Sequence, residues 1–236
     1  MKSGGFDEFS RDYDELLRDP VRDWFCSNDP LLFHSRRRDL ILRHFNRRSM
    51  ETAGLDYLDL GCGRGELLGL VRESFRTVTG CDPSAGMLER VPGIPTRLQA
   101  DPMRIPFGDA EFDFVTAAGV YHHVPPPQRV ALSREVRRVL RPGGTFCIFD
   151  HNPLNPLTRL IVSRTPIDAD AVLMPARQAR AMLRSAGFAP LEIQYFLFFP
   201  EPLFRRIGRA ENLLRRVPFG GQYALFARIE GHGGAD

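Results

Sequence analysis

The sequence is almost without lysine: of its 32 basic side chains only Lys2 is not arginine, and the formal net charge is just +3. So small a surplus gives no argument for a nucleic-acid partner, and none is expected; arginines spread along the whole chain reflect GC-rich codon usage better than a phosphate-binding surface. Long apolar runs are missing too. Nothing approaches the roughly 18 uninterrupted apolar residues of a membrane span, so no integral membrane segment is expected. The opening MKSGGFDEFSRDYDELL is acidic and amphipathic, without the apolar core of a signal peptide. The expected compartment is therefore the cytoplasm. Cysteine is scarce and scattered: Cys26, Cys62, Cys81 and Cys147 form no CxxC pair. Cys81 and Cys147 sit in apolar, strand-like runs, which reads as reduced core thiols rather than a disulfide framework. What remains is an ordinary globular mix: 236 residues, 43% hydrophobic and 26% charged, enough for one α/β domain with small additions.

The pattern changes at about residue 50. Before it, Leu16, Leu17, Val21, Trp24 and Phe25, then Leu40, Ile41, Leu42 and Phe45, recur at helical spacing. From residue 55 short apolar runs alternate with amphipathic helices. The runs are LDYLDL, TVTGCD, TRLQAD, FDFVTAAG and TFCIFD, and the helices cover Glu66 to Phe75, Ser84 to Val91 and Gln128 to Leu140. Such units imply a mainly parallel sheet covered on both faces. A helix from Pro175 to Ala186 precedes the run EIQYFLFF, and QYALFARIE closes the fold.

Chemistry begins at the first strand, where Tyr57-Leu-Asp-Leu-Gly-Cys-Gly-Arg-Gly-Glu66 runs from apolar strand through a glycine turn into a helix. Glycine is required where backbone turns sharply against a ligand. A dinucleotide fingerprint wants a glycine where this chain has Glu66. Asp59 and Glu66 also place two carboxylates beside the position of a diphosphate, which a helix N-terminus otherwise attracts. A ligand with an ammonium and a sulfonium has the opposite preference.

DLGCGRGE resembles the first motif of the class I S-adenosylmethionine-dependent methyltransferases, and later landmarks follow in that family's order over roughly residues 50–190. Gly80-Cys-Asp82-Pro-Ser84 ends the second strand, and the resemblance implies that Asp82 accepts both ribose hydroxyls. Gln99-Ala-Asp101-Pro-Met103 ends the third, where the family's acidic residue receives the adenine amino group between apolar neighbours. Gly-Val-Tyr-His-His-Val124 is similar to the family's "LHHV" segment, and Val139-Leu-Arg-Pro-Gly-Gly144 and Arg184-Ser-Ala-Gly-Phe188 follow. The cofactor residues so implied are Asp59, Gly61, Cys62, Gly63, Asp82, Pro83, Met87, Asp101, Pro102, Met103 and Ala118. The segment Phe6 to Asp14 resembles the opening of small-molecule methyltransferases, whose tyrosine, here Tyr13, approaches the methionine part of the cofactor. Among Arg36, Arg37 and Arg38 one guanidinium suits the cofactor carboxylate. Arg37 and Arg38 are equal candidates, with Arg38 carried forward.

Each reading has a plainer rival. Asp82 alone would serve as a helix cap, and Asp101 before proline as a turn former. Cys62 fills a small position, so packing explains it better than thiol chemistry. His122 and His123 point opposite ways if the segment is extended, so both face one ligand only if the chain turns. His122, His151 and Tyr121 are the catalytic candidates, His123 the architectural one, and a buried hydrogen-bonded histidine is the rival for each. His34, His122, His123 and His151 match no zinc spacing, and no metal is expected. The two Asn-Pro pairs of His151 to Leu160 predict a substrate-side loop. The Arg-rich helix Phe204 to Val217 either docks on the sheet edge or lies on an anionic membrane.

The expectation is a Rossmann-like seven-stranded, mainly parallel sheet with helices on both faces. Residues 1–48 form an N-terminal helical lid, 49–230 the methyltransferase domain and 231–236 a disordered tail. The expected reaction is methyl transfer from S-adenosyl-L-methionine to oxygen or nitrogen of a small-molecule acceptor, in a monomer or homodimer. A fold-retaining regulator, an enzyme for a lipid-linked acceptor and a nucleotide-dependent oxidoreductase are the alternatives.

Overall fold

In a computed structural model, described here for residues 12–229, seven strands form one sheet. The tail 231–236 and residues 6–11 of the opening motif lie outside the described residues. The chain begins with α1 (Tyr13–Leu16), α2 (Pro20–Cys26) and α3 (Leu32–Asn46). It then alternates through β1 (Asp56–Leu60), α4 (Glu66–Val71), β2 (Thr77–Asp82), α5 (Ala85–Leu88) and β3 (Thr96–Leu98). The second half runs β4 (Phe112–Ala118), α6 (Arg129–Val139), β5 (Leu140–His151), α7 (Pro156–Arg164) and α8 (Ala176–Ser185). It ends with β6 (Phe188–Phe196), α9 (Glu201–Leu214) and β7 (Gln222–Ile229).

The sheet order is β3-β2-β1-β4-β5-β7-β6, with β7 antiparallel to both neighbours and the other pairs parallel. The order reverses between β1 and β4, the place where open α/β sheets hold ligands beyond the carboxyl ends of their strands. Both faces are covered, so the strands bury side chains of both parities. Leu58, Leu60, Val115, Ala117, Phe146 and Ile148 pack on one face against α6 and α8. Their neighbours Tyr57, Phe114, Cys147 and Phe149 pack on the other with α3 and α4.

Helix starts follow their caps. Asp19 accepts from the Val21 and Arg22 amides ahead of Pro20, which fixes α2. Asn155 does the same for α7, accepting from Thr158 N at 2.9 Å with Pro156 in the first turn. Residues 156–164 are thus a helix and not the loop expected from two Asn-Pro pairs, because the second pair is an N-cap followed by the proline that a first turn tolerates. Two further boundaries move. The strand expected to begin at Glu192 begins at Phe188, and α9 begins at Glu201 and kinks at Ile207.

The Arg-rich helix docks. Arg36 of α3 stacks over the Phe204 ring, 3.2 Å from its centroid, and pairs with the buried Glu211. Glu211 also accepts from the Phe198 amide at 2.8 Å. Meanwhile α3 belongs to the packed layer: Leu40, Ile41 and Phe45 are buried with Tyr57 and Phe114, and the Phe45 and Phe114 rings meet edge to face at 5.0 Å. Only α1 and α2 remain as a candidate cover. Phe45→Ala should therefore cost about 3–5 kcal/mol in urea unfolding, the price of a large core truncation. A loss below about 1 kcal/mol would make α3 an appendage instead.

Candidate active site

At the end of β1 the chain passes through Gly61, Gly63 and Gly65, all with positive φ (70°, 54° and 76°). Gly61 has a second constraint, since a Cβ there would lie 2.5 Å from Val120 Cγ2. Nothing stands within 4 Å of the corresponding point at Gly63. The turn is held to β2 by the amides of Gly61 and Cys62, which donate to Cys81 O at 2.8 and 3.1 Å. Asp82 fixes it further, accepting from Gly63 N and Ser84 N, each at 2.9 Å.

A cavity opens along this turn, lined by Gly61, Gly63, Asp82, Pro83, Met87, Gln99, Pro102 and Ala118. A second cavity lies beside it, lined by Arg22, His34, Arg37, Cys62, Glu66, His122, His151 and Asp168. Tyr13, Gly61, Gly63, Ala118, Gly119, His123 and Ile167 line both, so the two adjoin. Tyr13 lies beneath the Arg64 guanidinium, 4.9 Å from its ring centroid, and burial pushes its hydroxyl up to about 12. Leu157, Thr158 and Ile161 of α7 wall the second cavity. The His151 to Leu160 segment therefore faces the site, its second half in a helix.

Several sequence candidates lie elsewhere. Arg38 points outward and bonds Asp39 at 2.7 and 3.0 Å, while its neighbour Arg37 is buried on the cavity wall and donates to Gln222 Oε1 at 3.1 Å. Asp101 is exposed and organises its own turn, accepting from Met103 N at 2.8 Å. Met103 packs on the core, and the polar group that faces the cavity from this segment is Gln99, which donates to Pro102 O at 3.1 Å. Tyr121 is wholly buried with its hydroxyl 2.8 Å from Ser133 Oγ, away from both cavities. Asp59 sits under the turn and accepts from Thr116 Oγ1 at 2.5 Å.

The histidines converge. A 3₁₀ turn at Tyr121–His123 replaces the extended backbone that would have parted His122 from His123. His122 Nδ1 is 2.5 Å from Asp150 Oδ1, and its Nε2 is 3.3 Å from Asp168 Oδ1. His123 Nε2 stands 3.5 Å and His151 Nε2 3.9 Å from the same carboxylate. Burial alone would depress the His122 imidazole, but Asp150 and Asp168 outweigh it and raise it to about 9. Burial and the neighbouring His122 charge push His123 and His151 down to about 4. At neutral pH His122 is thus the charged member and the other two are neutral. The loop carrying Asp168 is held by Val172 N donating to His122 O at 2.8 Å and by Arg129 Nη2 donating to Val172 O at 2.6 Å. Sequence reading missed Asp150 as the partner of His122, and missed Asp168 and Gln99. Asp150 alone had a local signal, its place at the end of a strand beside the ligand edge.

Residues 58–148 match the methyltransferase-domain family. That stretch of the chain is a methyltransferase domain. Over 170 residues the protein is 33% identical to methyltransferase GfsG of Streptomyces halstedii, covering 61% of this chain and 59% of that one. Over 159 residues it is 31% identical to 27-O-demethylrifamycin SV methyltransferase of Amycolatopsis mediterranei, covering 58% and 55%. Shorter matches of the domain include tRNA and sterol methyltransferases. The chain spans between half and about three fifths of the length of the first curated relatives it matches. Its fold is that of an S-adenosylmethionine-dependent methyltransferase from Archaeoglobus fulgidus, with TM-score 0.59 and 21% identity over 81% of this chain and 94% of that one.

Burial pushes Asp59 up to about 7, against the Thr116 hydrogen bond and the Arg37 charge, which lower it. The folded chain therefore holds a proton that the unfolded chain releases near pH 4, and the contribution of Asp59 to stability falls as pH rises from about 4 to about 7. In cofactor-free protein, Asp59→Asn should lose less stability than the wild type across that window in thermal melts. A wild-type to variant difference independent of pH would show that Asp59 titrates like an ordinary carboxylate.

Proposed function

We propose that the protein transfers the methyl group of S-adenosylmethionine to an oxygen or nitrogen of a small-molecule acceptor. The observation that carries this reading is the adjoining pair of cavities, one on the glycine turn and Asp82, the other on the imidazoles. The cofactor's ribose belongs on Asp82, its adenine between Met87 and Pro102 beside Gln99, and its methionine end near Tyr13. Arg37, the buried guanidinium on the wall, is the partner for its carboxylate. The sulfonium methyl then faces the second cavity across Gly61 and Gly119, where the absence of side chains permits close approach.

The chemistry needs alignment more than any protein nucleophile. The acceptor's lone pair attacks the methyl carbon in line with the departing sulfur, and the electron pair of the broken bond stays on S-adenosylhomocysteine. Holding donor and acceptor in adjoining cavities supplies most of the acceleration. A walled cavity lined by Phe25, Phe33, Leu157 and Ile161 suits a compact acceptor with apolar surface better than a polynucleotide. The name of the rifamycin relative points the same way. We read α1 and α2 as the cover over this acceptor cavity.

Asp82→Ala should weaken S-adenosylhomocysteine binding at least tenfold in calorimetry, through loss of roughly 1.5–3 kcal/mol of charge-assisted hydrogen bonding. NADH serves as the non-binding control. Unchanged affinity would remove Asp82 from the cofactor site. With labelled S-adenosylmethionine, methyl groups should pass to hydroxylated or amino small molecules and not to total tRNA. Labelling of tRNA alone would overturn the small-molecule reading.

A further inference from the structure

The second cavity holds more ligand chemistry than methyl displacement uses. His122, His123 and Asp168 each offer one ligating atom, and these three atoms lie within 4.8 Å of one another. Asp168 Oδ1 is 3.3 Å from His122 Nε2 and 3.5 Å from His123 Nε2. Nitrogen and oxygen ligands at about 2.1 Å from a tetrahedral ion stand roughly 3.4 Å apart, which these two spacings bracket. The support behind them fits as well. Asp150 holds Nδ1 of His122 at 2.5 Å, leaving Nε2, whose proton an incoming ion would displace, as the nitrogen aimed at Asp168 and the cavity. A carboxylate behind a ligating imidazole is what orients metal-bound histidines and fixes their tautomer. His151 stands at the margin, its Nε2 3.9 Å from Asp168 Oδ2.

We propose that His122, His123 and Asp168 bind one divalent first-row transition-metal ion, and that a hydroxyl oxygen of the acceptor takes a remaining position on it. Two imidazoles and one carboxylate are a donor set for zinc, iron(II), cobalt(II) or manganese(II), while magnesium and calcium prefer oxygen ligands throughout. The inference rests on the methyl-transfer reading and sharpens it, because an oxygen bound to the ion keeps lone pairs for attack, whereas a bound amine has given up its only one. Bound to the ion, the acceptor O–H would become more acidic and release its proton to water. The C–O bond forms as the C–S bond breaks, with the electron pair left on sulfur. The products are a methyl ether and S-adenosylhomocysteine, and the ion keeps its oxidation state.

The sequence could not reveal this set. His122 and His123 are adjacent and match no zinc spacing, and the third ligand arrives on a loop beyond α7. The competing arrangement is a proton shared between Asp168 and the imidazoles, with no ion at all.

The experiment uses the full chain, stripped with chelator and titrated with cobalt(II), followed by the visible d–d absorption. Zinc(II) calorimetry gives the stoichiometry. One ion per chain is expected, at micromolar Kd or tighter, with affinity reduced at least tenfold in His123→Ala and in Asp168→Asn. Circular dichroism of both variants checks that they fold. Absence of binding up to millimolar metal overturns the proposal, and so does equal binding by wild type and folded variants. Titration of the metal-free wild type with S-adenosylhomocysteine is a separate readout. Its failure alongside intact metal binding would strike the methyl-transfer reading and leave the metal site standing.

Discussion

The fold places its site by one steric demand, that backbone at the end of β1 pass between β2 and β4 with no side chain in the way. Gly61 is pressed against Val120, where a Cβ would be 2.5 Å from Cγ2, and Gly80 on β2 is pressed against Cys62 Sγ in the same manner at 2.6 Å. These contacts bring the turn flat against the strand ends. Asp82 can then reach the Gly63 amide, and the open space beside Gly63 becomes the floor of a cavity. Because β1 and β4 are the strands between which the sheet order reverses, the same turn borders the imidazoles that follow β4. One local conformation thus sets both halves of the site.

The second cavity is organised by charge. Burying Asp150 would be costly for a lone carboxylate, and the His122 imidazole beside it offsets that cost. Asp168 extends the same chain of charges from a different part of the sequence. Its loop is fastened to the segment carrying the histidines by the Val172 amide and by Arg129, which ties the carboxylate to the imidazoles. A partly exposed, strongly interacting cluster facing a ligand cavity is typical of functional sites, whether it handles a proton or an ion.

What the sequence made legible was local. Strand alternation, the glycine turn and Asp82 each follow from a few neighbouring residues. The helix at Pro156 was hidden because Asn-Pro was read as a breaker, although asparagine at the cap and proline in the first turn also begin helices. The choice between Arg37 and Arg38 was available in principle. Arg37 shares a stripe with Leu40, Ile41 and His44 at helical spacing, all of them buried, and Arg38 lies off it. Asp101 and Gln99 illustrate the opposite limit. Two residues apart at the end of a short strand, they differ in exposure because the chain turns between them, and no periodicity predicts that. Asp168 was out of reach for a different reason, since its position depends on tertiary contacts of a loop.

Methyl transfer in this chain requires two adjoining cavities with distinct occupants, cofactor on Asp82 and acceptor over the histidines. A crystal structure of the full chain soaked with S-adenosylhomocysteine tests this most directly. The ribose hydroxyls should lie within hydrogen-bond distance of the Asp82 carboxylate, with the thioether sulfur pointing toward the cavity of His122, His123 and His151. A cofactor bound elsewhere, or with its sulfur turned away from the imidazoles, would contradict the account.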